Sequence, residues 1–252
     1  MGHESSIDMA LSQRHINLVR PRIPRAVVIG AGRGIGRAVA IALAGAGYLV
    51  SCGARSATDL AVLSVEAERQ FGEGRVTCAT VDITDPAAVE NFLTASAGTA
   101  RAVDLLVVSA GVAWLGGVET SVQQMTEMVM TNLAGPFYCL HYARDYLKIT
   151  QGTVVLLASR AARACYPQSL AYGATKAGLV YLIQAAARDL AKDGISIVGL
   201  SPGAVATPLR AGLFSDEDPA LLIQPTEVAQ ALIAILNPCL KRMSGTIVDF
   251  PW

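Results

Sequence analysis

Residues 25–36 read Arg25-Ala26-Val27-Val28-Ile29-Gly30-Ala31-Gly32-Arg33-Gly34-Ile35-Gly36. A short apolar run bounded by glycine predicts a buried strand at Arg25–Ile29. The residues that follow predict a helix over 34–46. Glycine at the turn permits positive φ and lets an anion approach the backbone. The helix start then offers free N–H groups and a favourable dipole to a phosphate. A glycine-rich loop alone is weak evidence, and a turn without a ligand is the alternative reading. The strand before it and the helix after it are the confirming context.

Outward from this unit the same alternation continues. Strands are expected at 48–52, 75–81, 103–109, 153–158, 196–201 and 245–250, and helices at 58–71, 86–97, 119–146, 169–192 and 226–236. Strands that alternate with helices pair in parallel, because a parallel pair needs a crossover. Strands that are apolar throughout, such as Val154–Leu157, suit a sheet covered on both faces. The expected fold is a single α/β Rossmann domain over 25–252: a doubly wound parallel sheet of about seven strands with helices on both faces. Its ligands belong at the carboxyl ends of the strands. Residues 1–24 read as an irregular extension.

The chain has 252 residues, 52% of them hydrophobic and 16% charged. That suits one large core and further burial on oligomerising. Twenty basic residues balance twenty acidic ones, which gives nucleic acid no basic surface to bind. Arg20, Arg22 and Arg25 read as a solvated lead-in. No stretch reaches the length of a membrane span, and no signal peptide is evident. The cysteines at 52, 78, 139, 165 and 239 are odd in number and lack a C-x-x-C pair. They read as free thiols of a reducing cytoplasm. His3, His15 and His141 are scattered, so no metal is expected.

The second strand runs into Cys52-Gly53-Ala54-Arg55. A carboxylate there would hold the ribose hydroxyls of NAD. Arg55 instead suits a 2′-phosphate, with Arg33 closing from the glycine loop, and two guanidinium groups around a phosphate bind strongly. The residues therefore favour NADP, with NAD possible if these arginines face water.

Tyr172-Gly173-Ala174-Thr175-Lys176 lies in the helix expected at 169–192. Spacing i, i+4 puts Tyr172 and Lys176 on one face. A nearby ammonium favours the phenolate and is expected to lower the tyrosine pKa. Tyrosine can then exchange a proton with a carbonyl or alcohol oxygen. Such pairs also occur by chance. Ser159, at the mouth of the preceding strand, gives the pair a partner that can hold the substrate oxygen. Asn132 is a fourth candidate.

At this point the chain resembles the classical short-chain dehydrogenase/reductase family from about residue 25 onward. Gly30-x-x-x-Gly34-x-Gly36 resembles the family's cofactor loop, with Ile35 inside it. Asp82, beside Ile83, resembles the aspartate that meets the adenine. Ser109-Ala110-Gly111 resembles the end of the Asn-Asn-Ala-Gly motif. Asn132, Ser159, Tyr172 and Lys176 resemble the catalytic tetrad, with the 13-residue step from Ser159 to Tyr172. Pro202, Gly203, Val205 and Thr207 resemble the segment that holds the nicotinamide end.

The resemblance implies an NADP-dependent carbonyl reductase or alcohol dehydrogenase that takes a small carbonyl or alcohol substrate. Tyr172 would be the acid/base. Lys176 would bind ribose hydroxyls, and Asn132 would hold a water that relays protons through it. A homodimer or homotetramer would pair the helices of residues 119–146 and 169–192. An NAD-linked alcohol dehydrogenase and a catalytically silent dinucleotide sensor are the alternatives, with epimerase or dehydratase relatives third.

The chain also departs from the family. Ile29 stands where a hydroxyl residue is usual, and Val108 and Ser109 replace two asparagines. The end Val248-Asp249-Phe250-Pro251-Trp252 is bulky, and suits either a subunit contact or the chain's own sheet edge. Substrate selection falls to loops carrying Trp114 and Tyr166, to Arg160 and Arg163, and to a lid over 208–224 with Leu209, Leu213, Phe214 and Asp216-Glu217-Asp218. One of Arg160 and Arg163 is expected to meet an anionic substrate group, unless both are solvated or salt-bridged.

Overall fold

A computed structural model describes residues 22–236 and 239–250. Most of the expected N-terminal extension, including Arg20, lies outside the described residues. So do Pro251 and Trp252.

Seven parallel strands form one sheet in the order β3-β2-β1-β4-β5-β6-β7. They are β1 (Arg25–Ile29), β2 (Leu49–Ala54), β3 (Val76–Thr80), β4 (Leu105–Val108), β5 (Thr153–Leu157), β6 (Ser196–Ser201) and β7 (Ile247–Asp249). The order reverses at β1, which lies between β2 and β4. Ile29 faces Gly53 on one side and Val108 on the other. The residues that follow these three strands therefore share one edge of the sheet, where a crevice opens at the switch point.

Period-two alternation sends neighbouring strand residues to opposite faces, and both faces are buried. Val27, Ile29, Leu106, Val108, Val154, Leu156 and Ile197 pack beneath α3 (Pro86–Ala97), α5 (Gly135–Thr150) and α6 (Leu170–Leu190). Ala26, Val28, Leu105, Val107, Val155, Leu157 and Leu200 pack beneath α1 (Gly34–Gly45), α2 (Ala57–Phe71) and α8 (Pro225–Ile235). That double burial is why these strands read as continuous apolar runs. Phe250 packs against the second cluster, so this part of the chain end covers its own sheet.

The helix expected over 119–146 differs in detail. It begins at Val122, where Ser121 and Gln124 form a capping box. After α4 (Val122–Val129) it widens into a π-type turn at Met130–Ala134, then continues as α5. Pro136 has no N–H to give the carbonyl four residues back. The helix accommodates this by bonding Gly135 N–H to the Met130 carbonyl, five residues back. Such turns tend to mark functional positions, and this one carries Asn132.

Polar ties fix the sheet's other margin. Arg22, expected to be solvated, pairs with Asp104 at 2.5 Å. Asp193, after α6, is nearly buried and takes Arg144 at 2.7 Å and Lys148 at 2.9 Å, both from α5. Lys148 first, then Arg144, holds the Asp193 carboxyl below its ordinary range. A carboxyl depressed by folding stabilises above the unfolded value of about 3.9 and loses that contribution as pH falls through the folded value. Asp193→Asn is expected to melt below the wild type at pH 7, with the two melting temperatures converging below about pH 4. Thermal melts across that range check it; a gap independent of pH contradicts it.

Candidate active site

The glycine loop closes by backbone contact. The Gly53 carbonyl accepts from Gly30 N–H at 2.8 Å and Ala31 N–H at 3.1 Å. The Ile29 carbonyl accepts from Ser109 and Ala110. These bonds bind the β1, β2 and β4 ends together without the hydroxyl that Ile29 displaces. A Cβ on Gly36 would sit 2.1 Å from the Gly30 oxygen, and Gly30 has φ +93°. Only glycine fits both places. Arg33 caps α1 with its backbone alone: among the described residues no side chain caps the helix start, and no acidic residue stands in the first turn. These amides remain available to an anion.

A cavity of about 540 Å³ lies over this loop. Its walls include Gly30, Gly34, Ile35, Ala110, Gly111 and Thr207, with Arg33, Arg55, Asp82 and Ile83. Both arginines proposed for a 2′-phosphate are therefore on one cavity. Two further wall residues escaped the sequence reading. Asp59, from the first turn of α2, lies under Gly32. Thr131 is buried, and among the described residues its hydroxyl has no hydrogen-bond partner. Asp82 spends one oxygen on Thr84 N–H and hydroxyl, at 2.9 and 2.8 Å. The glycine cradle, free helix start and unpaired hydroxyl fit a dinucleotide.

A second cavity of about 570 Å³ adjoins the first through shared walls at Ile35, Ser109, Gly111, Thr207 and Leu209. It is lined by Ser159, Tyr172 and Lys176, by Pro202, Gly203 and Val205, and by Trp114, Tyr166, Leu213 and Phe214. Gly173 makes this wall possible, because a Cβ there would lie 2.9 Å from the Ala161 carbonyl. The start of α6 can thus press against the turn after Ser159.

Lys176 is buried, and its Nζ donates to the Leu157 carbonyl at 2.7 Å. Burial lowers its pKa to about 8, so it is still mostly protonated at neutral pH. Its Nζ lies 5.8 Å from the centre of the Tyr172 ring. The Tyr172 pKa differs from the sequence expectation: burial raises it, against the lowering influence of the Ser159 hydroxyl and the Arg210 guanidinium. Lys176 is not what lowers it, because desolvation outweighs the charges nearby.

Asn132 lies on neither cavity wall. It is fully buried, accepts from Val112 N–H at 2.9 Å, and donates to the Val112 carbonyl at 2.8 Å and Thr175 Oγ1 at 3.2 Å. It ties the loop after β4 to α6, one residue from Lys176. Arg163 pairs with Asp249 and lines neither cavity, whereas Arg160 does line the second. Arg210, on α7 (Pro208–Leu213), also lines it and was missed in the sequence.

Comparison with known proteins follows the same outline. The short chain dehydrogenase family matches residues 24–218. A short-chain dehydrogenase/reductase of Hericium erinaceus is 33% identical over 198 residues, covering 76% of this chain and 78% of its own. Galactitol 2-dehydrogenase of Rhizobium johnstonii is 30% identical over 245 residues, covering 89% and 92%. Among solved structures, an alcohol dehydrogenase from the archaeon Thermococcus sibiricus, complexed with 5-hydroxy-NADP, superposes with a TM-score of 0.81 at 27% identity. That match covers 91% of this chain and 96% of the other.

Proposed function

The chain belongs to the short-chain dehydrogenase/reductase family, and from that premise we propose that it reduces a carbonyl compound with NADPH, with Tyr172 as the proton donor. Members act on CH–OH and C=O groups with a nicotinamide dinucleotide, so the chain is an oxidoreductase of that kind. One observation carries the finer reading. Ser159, Tyr172 and Lys176 share a cavity wall where the space over the glycine loop opens into the second cavity.

The pyrophosphate would rest on Gly30, Gly34, Gly36 and the free amides of α1. Asp82 and Ile83 would take the adenine, and Ala110, Gly111 and Pro202 to Thr207 the nicotinamide end, with Lys176 and Tyr172 at its ribose. When bound, the cofactor supplies the hydride. The substrate oxygen would accept a hydrogen bond from Ser159 while Tyr172 gives it a proton. A tyrosine pKa raised by burial keeps the phenol protonated at neutral pH, the form reduction requires. The Ser159 hydroxyl and the Arg210 guanidinium, which oppose the burial of Tyr172, then stabilise the phenolate that remains. Asn132 acts as a positioning residue that holds α6 against the loop after β4. Residues 208–224 serve as the lid, since Leu209, Leu213 and Phe214 already form one wall.

Arg33 and Arg55 on the cavity wall support NADP, as does the solved relative that carries 5-hydroxy-NADP. NAD is the second reading, and Asp59 is the observation that favours it: a carboxylate on the same wall could meet ribose hydroxyls. For a homodimer or homotetramer, apolar side chains stand exposed on α4 to α6, among them Val122, Phe137, Ile149, Leu170 and Tyr181. Light scattering reads that state directly.

Tyr172→Phe is expected to lower turnover of a ketone panel by about 10²–10⁴-fold. NADPH should still bind it, as read by fluorescence. Unchanged turnover would refute the role of Tyr172, and tight NADPH binding without turnover by the wild type would make the chain a sensor. Arg33→Ala and Arg55→Ala should each weaken NADPH about 10- to 100-fold, with NADH barely affected. Equal losses for both cofactors contradict the NADP assignment.

A further inference from the structure

The second cavity has a charge pattern that hydride transfer does not require. Arg160, Lys176 and Arg210 line it, and among the described residues its walls include no aspartate or glutamate. The chain as a whole balances its charges, so this pocket concentrates positive charge locally. Its other walls are largely apolar: Ala113, Trp114, Leu115, Leu157, Leu213 and Phe214. An apolar pocket with a few placed cations selects an organic anion over a neutral or strongly hydrated molecule.

Lys176 spends one N–H on the Leu157 carbonyl and lies deep beside Tyr172. Arg210 is built differently. Thr207 caps α7 by accepting from Arg210 N–H at 3.2 Å. The guanidinium lies 4.0 Å over the ring of Phe214, one helical turn on. Glu217 then takes one edge of it, from Nε at 2.7 Å and Nη2 at 2.6 Å. Arg210 in turn holds the Glu217 carboxyl below its ordinary range, so the pair is ionic. The guanidinium is thus fixed in three ways. A guanidinium carries five N–H groups. Glu217 uses two, and among the described residues Nη1 donates to no acceptor. One edge of a rigid fork is left over, in a residue that lines the cavity.

We propose that the substrate carries a carboxylate as well as its carbonyl, and that Arg210 binds this carboxylate through the guanidinium edge that Glu217 leaves free. The proposal rests on the oxidoreductase reading of the same cavity and names its substrate class. A planar monoanion matches the free edge in shape. Glu217 keeps the guanidinium oriented before substrate arrives, which lowers the ordering cost of binding. Arg160, the other arginine on the wall, adds attraction for the same anion. The arginine sought in the sequence close behind Ser159 is therefore joined by one on the opposite side of the catalytic residues in the chain, 38 positions after Tyr172.

The test compares acids with their neutral counterparts. The three isomers of acetylbenzoic acid and a series of straight-chain keto acids are each paired with the methyl ester. Binding to the NADP-saturated protein is measured by calorimetry, and turnover by NADPH absorbance. The acids that bind are expected to exceed their esters by roughly 10- to 100-fold in affinity and in kcat/KM. In Arg210→Met the acid-to-ester ratio should collapse toward one, and Arg210→Lys should restore part of it. If no acid outbinds its ester, or if the ratio survives Arg210→Met, the proposal is wrong. Turnover of esters without any preference for acids overturns this proposal and leaves the oxidoreductase reading intact. Acid-selective binding with no turnover does the reverse.

Discussion

The Gly30 carbonyl occupies the place where a side chain on residue 36 would have to stand. Much of the site follows from that contact. It brings the start of α1 against the end of β1, while the Gly53 carbonyl holds the intervening loop from β2. The free amides of α1 then point into a cavity instead of being capped. The same strand ends carry Arg55 and Ala110 to its walls. A polypeptide without glycine at 30 and 36 would have to separate helix from strand, and the crevice at the sheet's switch point would lose its floor.

Burial, more than charge, sets the resting protonation of the reacting groups. It raises Tyr172 and lowers Lys176 to about 8. Both shifts come from removing water around a charged form. The protein opposes the first shift with Ser159 and Arg210, while the Leu157 carbonyl accepts a hydrogen bond from the Lys176 ammonium. On the proposed mechanism, a neutral phenol beside a protonated amine is a poised donor: the proton can leave once substrate oxygen arrives, and the charge left behind has a cation near it.

The fold was legible because its signals are local. Short continuous apolar runs, glycine punctuation and the Ser159–Tyr172 step all lie within short windows. What stayed hidden depends on distant partners or on backbone detail. Arg163 looked available for substrate, but Asp249 claims it from 86 positions away. Asn132 was a candidate from the sequence, but the π-type turn that seats it was not foreseen, because that turn arises from Pro136, a proline whose effect on a long helix is hard to place in advance. Asp59 and Arg210 each sit within the first turn of a helix whose direction only the tertiary structure shows. Thr207-Pro208, a capping residue before proline, is the local signal that would have marked α7 and, three residues on from the cap, Arg210.

On the proposed function, the contact between Gly36 and the Gly30 carbonyl builds the dinucleotide site. Titrating NADPH into Gly36→Ala, with circular dichroism to confirm the sheet, tests it most directly. A Cβ forced against the Gly30 carbonyl must displace the loop or the helix start, so NADPH affinity is expected to fall by at least about 100-fold, the scale of lost charge-assisted hydrogen bonds. An affinity equal to that of the wild type in a folded variant would contradict the account.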